Sequence, residues 1–307
     1  MAIAFITHPR CRKHDMGSYH PECPERLDAI DDQLIASGVG QHLVHHEAPQ
    51  AAVNNLARVH PMEYISHIRA SAPKSGTVHL DPDTAMNPHT WDAALHAAGA
   101  AILATDMVLN RQADSAFCSV RPPGHHATRT RAMGFCLFNN VAIAAKHALE
   151  QHGLERVAIV DFDVHHGNGT EDVFSDDPRA LMVSTFQHPF YPYSGTEDPA
   201  PNMVNVPLPA GAGSQAFREA VTQQWLPALE AFKPQMVFFS AGFDAHVEDD
   251  MAMLRLVDGD YAWVTGEIKA IAEKYAEGRI VSVLEGGYNL SALGRGVVAH
   301  IKVLGGL

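Results

Sequence analysis

Short apolar runs recur along this chain at residues 2–7, 116–120, 157–161, 180–185, 236–240 and 280–284. Runs of this kind, without polar alternation, describe strands buried on both faces, as in a parallel sheet. Between them, segments 24–37, 90–109, 139–151, 214–232, 261–275 and 290–304 space their apolar positions as helices do. The alternation predicts βαβ units and a mostly parallel sheet. Pro24 near the start of the first helix and Gly38 just past its end follow the usual asymmetry of helix termini. No Gly/Ser-rich linker, low-complexity run or internal repeat interrupts the pattern, so residues 1–307 are read as one α/β domain.

Long irregular segments remain at 9–23, 71–88, 121–137, 187–202 and 244–258. Such lengths are uncommon in a compact domain unless they carry function. Several directly follow a strand's carboxyl end, where α/β proteins build pockets from loops. The stretch VAIVDFDVHHGNGT at 157–170 is the richest of these ends. Asp161, Asp163 and His165 are each two residues apart, which on a strand turns all three to one side and Phe162 and Val164 to the other. Two carboxylates and an imidazole suit a divalent metal; oxygen and nitrogen donors without thiolate fit catalytic zinc, with other divalent ions open. The alternative is a buried Asp/His hydrogen-bond cluster.

Three further strand ends carry chemistry. In RPPGHHA at 121–127, the prolines stiffen the loop and Gly124 allows close backbone approach. Adjacent His125 and His126 with separate partners can be held at different pKa values, as acid–base work requires, although a turn with two hydrogen-bonded histidines reads the same. SAGFDAH at 240–246 places Asp244 at the edge that carries Asp163 and His165. The ligand set then becomes Asp2His with room for water and substrate, whereas an isolated Asp there would be a turn or cap residue. In EGGYNL at 285–290, two glycines permit a tight turn presenting Tyr288 inward, as a hydrogen-bond donor or merely as packing.

Composition narrows the partners. A hydrophobic content of 46% with 19% charged residues is ordinary for a globular protein. Twenty-two basic against 35 acidic residues give a net charge of −13, which disfavours direct nucleic-acid binding and favours neutral or cationic partners. The first residues lack the basic region of a signal peptide, and no segment approaches a membrane span, so the expected location is cytoplasmic, with no membrane partner. Four cysteines are too few for a disulfide framework. Cys11, His14, His20 and Cys23 form a C-x2-H-x5-H-x2-C pattern that is a candidate for structural zinc, although its spacing departs from familiar fingers.

The motifs RPPGHHA, GFCLFNN at 134–140, DFDVHHGNGT at 161–170, SAGFD and EGGYNL, in this order and spacing, resemble the zinc-dependent histone deacetylase and acetylpolyamine amidohydrolase family. HHGNGT, SAGFD and EGGYN are more similar to its class II branch and bacterial relatives. The resemblance runs from about Phe5 to the C-terminus. It implies an arginase-like α/β fold with an eight-stranded parallel sheet and Zn2+ held by Asp163, His165 and Asp244. It implies catalytic roles for His125, oriented by Asp161, for His126, partnered by Asn168 where class I has Asp, and for the carbonyl-polarising Tyr288. A structural K+ is implied near backbone oxygens of Asp161, Asp163 and His165, with the region of Ser184. Gly134, Phe135 and Tyr191 would line an acyl-lysine tunnel; Asp83 would sit at its rim. Met251 stands where the polyamine-preferring vertebrate member has Glu. Implied substrates are acetylated lysine side chains or acetylated polyamines, with a homo-oligomer possible. A silent acyl-lysine binding module is the rival from another class, but this chain retains the ligands, histidines and tyrosine whose loss would mark one.

Overall fold

A computed structural model describes residues 2–307. Its centre is an eight-stranded sheet: β1 (Ile3–Thr7), β2 (Leu43–Glu47), β3 (Ser115–Cys118), β4 (Val157–Asp161), β5 (Ala180–Gln187), β6 (Met203–Leu208), β7 (Met236–Ala241) and β8 (Ile280–Leu284). The spatial order is β2-β1-β3-β8-β7-β4-β5-β6, and every pairing is parallel. Six strands coincide with the apolar runs. The two that do not, β2 and β6, are the outer strands. One flank of each meets solvent, so β2 reads Leu-Val-His-His-Glu with Val44 48% exposed, and β6 tolerates Pro207 where a missing N–H costs little.

Helices flank the sheet. Thr90–Leu109 packs against Asn140–Glu150, and Leu290–Gly305 packs against both Glu25–Ser37 and Asp258–Tyr275. Asn139 and Asn289 cap their helices by accepting from Ala142 N and Ala292 N. The helix expected at 214–232 changes pitch: Val221–Trp225 forms a π turn just before Pro227, whose ring cannot follow the carbonyl four residues back in regular α geometry. The segment at 71–88 holds a short antiparallel pair, Val78–His79 with Ala85–Met86. Helix Met62–Ser71 has no counterpart among the apolar patterns read from the sequence.

The four chemically loaded segments follow β3, β8, β7 and β4, which are consecutive neighbours in the middle of the sheet. Register brings their ends level, with Asp161 opposite Ser240, and Ala241 opposite Leu284. Strands separated by up to 165 residues in sequence thus end within one row of side chains, a distance set by Ser115 and Ile280 pairing directly. Adjacent carboxyl ends are what let distant loops share one pocket.

Candidate active site

Asp163, His165 and Asp244 converge, their donor atoms all lying within 4.8 Å of one another. His165 Nδ1 is 3.0 Å from Asp163 Oδ1 and 3.2 Å from Asp244 Oδ2. They do so for a different reason than strand alternation. β4 ends at Asp161, and the chain then turns, held by Asp163 N donating to Asp161 Oδ1 and His165 N donating to Asp163 Oδ1. The carboxylates thus fold their own backbone into a ligand loop.

The three residues fit a divalent cation. All are buried, and Asp244 Oδ2 has no hydrogen-bond partner. Burial and the neighbouring Asp163 raise the Asp244 carboxyl to about 6, while His165 is driven to about 10 because Asp163 and Asp244 outweigh its own desolvation. A proton on His165 here does what a cation would do between two buried carboxylates. Backbone walls shape the cradle: a Cβ on Gly286 would lie 2.1 Å from Asp244 Oδ2, and one on Gly242 would lie 2.0 Å from Asp163 Oδ2. Only glycine leaves the carboxylates room at either place.

Beside this set stand the paired histidines, their ring centroids 4.1 Å apart. His125 Nδ1 is 3.0 Å from Asp161 Oδ2, and His126 Nδ1 is 2.8 Å from Asn168 Oδ1. Their environments diverge. Burial opposes charge on both, but Asp163 and Asp161 hold His125 well above the ordinary histidine range, whereas charge on His125 and His165 adds to burial and holds His126 well below it. Tyr288 keeps its proton, because burial and then Asp244 push its phenol well above the usual range. The guanidinium of Arg26 lies 5.0 Å from its ring centroid.

A pocket of about 140 Å³ is lined by Asp83, His126, Gly134, Phe135, His165, Phe190, Tyr191, Met251 and Tyr288. All five residues expected at the tunnel and rim are therefore in one place. Phe135 adopts φ 69°, unusual for an aromatic residue, and is held there by hydrogen bonds from Gly134 N to Asp83 Oδ1 and Phe135 N to Thr84 Oγ1. The rim aspartate thus spends one oxygen buttressing the tunnel wall. His126 meets Tyr191 edge-on at 5.3 Å.

Other participants escaped sequence reasoning. Glu285 sits beneath the histidine loop, accepting from Gly124 N at 2.7 Å, His125 N at 3.1 Å and Ser240 Oγ at 3.1 Å. Burial raises its carboxyl to about 7. An acid ending an apolar strand was the available signal. Glu22 is enclosed by Arg121, Arg26 and His14; burial alone would raise its carboxyl, but Arg121 first among them holds it well below the usual range. Asp249 accepts from Tyr288 N and Asn289 N and so fixes the tyrosine loop. Phe190 stacks on His165 at 5.6 Å. The Cys11/His14/His20/Cys23 pattern does not assemble: Cys11 packs against the Ala93 carbonyl, His14 Nδ1 bonds Thr90, and His20 Nε2 meets the Asp83 carbonyl. These residues already have partners elsewhere, so sequence proximity brings no common donor set.

Residues 20–304 match the histone deacetylase domain. The chain is 39% identical to a Pseudomonas aeruginosa protein named histone deacetylase-like amidohydrolase, over 88% of this chain and 73% of that one. It is 36% identical to mouse polyamine deacetylase HDAC10, over 92% of this chain and 44% of the relative. The crystal structure of the HDA15 HD domain superposes with TM-score 0.94 at 33% identity, covering 100% of this chain and 89% of that one.

Proposed function

The chain belongs to the histone deacetylase family of amidohydrolases, and from that premise we propose that it hydrolyses Nε-acyl-lysine or a related acylated amine, with zinc held by Asp163, His165 and Asp244. The observation that carries this reading is the meeting of a buried three-donor set and a histidine pair of divergent proton affinity at one small pocket. A divalent ion there supplies Lewis acidity to the amide carbonyl and lowers the pKa of the attacking water.

The residues of the chain then divide the proton and charge work. Asn168 Oδ1 accepts from His126 Nδ1, which leaves Nε2 available to take the water proton and return it to the departing amine nitrogen. An amide partner stabilises imidazolium less than a carboxylate would, which keeps this base unprotonated at the start. His125, paired with Asp161, carries the positive charge beside it. Tyr288 donates its hydroxyl proton in a hydrogen bond to the carbonyl oxygen as negative charge grows there. Phe135 and Tyr191 flank the acyl-lysine chain, and Asp83 and Met251 border its exit. Water adds to the acyl carbon, the C–N bond breaks, and acetate and a free amine leave. K+ beside Asp161, Asp163 and His165 would brace the ligand loop, a reading supported by Ser184 facing Asp161 in register.

Acetylated polyamines are a second reading. A cavity of about 260 Å³ next to the tunnel shares Met251 and Tyr288 with it and carries Asp250, an exposed acid suited to a cationic tail. The test is kcat/KM on acetyl-lysine peptides against N-acetylputrescine, with metal stripped and then zinc restored. The expected result is zinc-dependent turnover, higher on the peptide. Higher efficiency on N-acetylputrescine exchanges the two readings, and zinc-loaded protein that binds but hydrolyses neither is a binding module.

A further inference from the structure

We propose that Asp106, His147 and His152 form a second divalent-metal site, of zinc-type chemistry, that clamps two helices together at the end remote from the histidine loop. The inference does not depend on the function proposed above.

Among the described residues, histidine, cysteine and carboxylate donors come together in groups of three within metal-binding reach at two places, and this is the second. His147 Nε2 and His152 Nε2 each lie 2.7 Å from the same atom, Asp106 Oδ1. Their rings meet edge-on, with centroids 5.2 Å apart. Two imidazoles aimed at one carboxylate oxygen present two nitrogens and an oxygen around a common point. That is the N2O set of a three-ligand zinc site, with water for the fourth position. The site is also open enough to load: the side chains of Asp106 and His152 are 38% and 22% exposed, while His147 is 7% exposed and anchors the inner side.

The surroundings favour a cation. Asp106 lies in the last turn of helix Thr90–Leu109, His147 lies in the last turn of helix Asn140–Glu150, and His152 follows immediately. Two helix carboxyl ends, each carrying partial negative charge, therefore face the point where the ion would sit. The other end of the second helix begins at Asn139, whose side chain bonds the Ala127 carbonyl of the histidine loop. An ion would thus fix the far end of a helix that supports the catalytic loop at its near end.

The site would be the weaker of the two. Binding metal through Nε2 requires each imidazole to carry its proton on Nδ1, and His147 Nδ1 is buried without a partner. A ligand histidine that lacks such an outer acceptor loses on the order of 10–100-fold in affinity.

The experiment is zinc counting by equilibrium dialysis of chelator-stripped full-length protein against rising free zinc. Wild type should bind two ions per chain with separable affinities. His152→Ala and the isosteric Asp106→Asn should each lose the weaker ion, keep the tighter one and keep amide hydrolysis unchanged. Asp244→Asn should instead lose the tighter ion and retain the weaker, and combining it with His152→Ala should leave none. One zinc per wild-type chain that Asp244→Asn removes, or two in folded His152→Ala and Asp106→Asn, overturns the second site. Failure of the zinc-enzyme reading shows separately, as an Asp244→Asn count equal to wild type.

Discussion

The two ends of the sheet each carry a cavity, and the larger one has the less interesting chemistry. At the amino ends of β3 and β8 lies a space of about 420 Å³ lined by residues that include Arg111, Lys269, Glu277 and Arg279. Its arginines are paired and its carboxylate is open to water: Arg111 and Glu277 pair at 2.8 Å with side chains 82% and 57% exposed, Arg279 pairs with the same Glu277, and Lys269 bonds the Val303 carbonyl. The pocket at the carboxyl ends has about 140 Å³, yet His165 in its lining is held by Asp163 and Asp244, carboxylates that are buried, crowd one another and include an unpartnered oxygen. Ions already satisfied by solvent and by each other have no unmet interaction to offer a ligand. Buried groups held away from their preferred charge state do. Volume is a poor guide here, and unmet polar demand is a good one.

The contrast can be broken most sharply at Asp244. Asp244→Asn removes one ligand charge, and turnover should fall by more than the ~10²–10⁴-fold expected of an acid–base residue, together with loss of the tight zinc. Metal analysis beside steady-state kinetics reads both, and retained zinc with retained turnover defeats the ligand assignment. Next in size is His126→Ala, which should lower kcat by ~10²–10⁴-fold with zinc still bound. Near-normal turnover in that variant, with His125→Ala inactive, would reverse the two roles. Tyr288→Phe should cost about 10²–10³-fold in kcat and leave affinity for a zinc-chelating hydroxamate largely intact, since the lost bond forms mainly as charge develops. Full turnover in that variant would make the tyrosine a packing residue.

Smaller effects should separate the core from the amino end. His300 bonds Thr265 and Ser282 inside the core, and burial pushes its pKa down to about 3. Above its unfolded value of about 6.5 neither state binds the proton; below that, the unfolded chain takes it up and the folded one does not until about 3. Stability is therefore lost as pH falls through this window, by roughly 1–2 kcal/mol between pH 7 and 5 from this residue. Melting temperatures of wild type and His300→Gln at the two pH values check it: the variant should show the shallower dependence, and equal slopes refute the assignment. At the amino end, Glu277→Ala should change neither melting temperature nor turnover measurably, since the Glu277 side chain is 57% exposed in both its ion pairs. A clear loss of activity would mean the large cavity works after all.

Legibility in the sequence followed burial. The six inner strands announced themselves because both faces are covered, and β2 and β6 did not because an edge admits His, Glu and Pro. The ligand triplet was found from its spacing, although the geometry behind it is a self-bonded turn rather than a continuing strand. Asp83, Phe135, Tyr191 and Met251 could be gathered only through resemblance, since nothing local ties the loops near 83, 135, 191 and 251 to each other. Glu285 and Glu22 stayed hidden for a related reason. Gly124 lies 161 residues from Glu285 and Arg121 lies 99 from Glu22, and beyond the apolar strand ahead of Glu285 nothing local marks either acid as buried.

The bonds that close the pocket also time its appearance during synthesis. Arg26 Nε reaches the Gly287 carbonyl across 261 residues, Gly124 N reaches Glu285 across 161, and Gly286 N reaches Asp163 across 123. A chain emerging from the ribosome already holds every proposed zinc ligand and both histidines before its last loop exists, yet the wall that gathers them is missing. β8 is made after the other seven strands, and at roughly 5–20 residues per second the chain waits many seconds before that strand can slot between β3 and β7. The gap it fills is in the middle of the sheet, so the halves on either side remain unjoined until then. Activity should therefore arrive in one step with the final strand, and a nascent chain halted before Glu285 should be inert rather than slow.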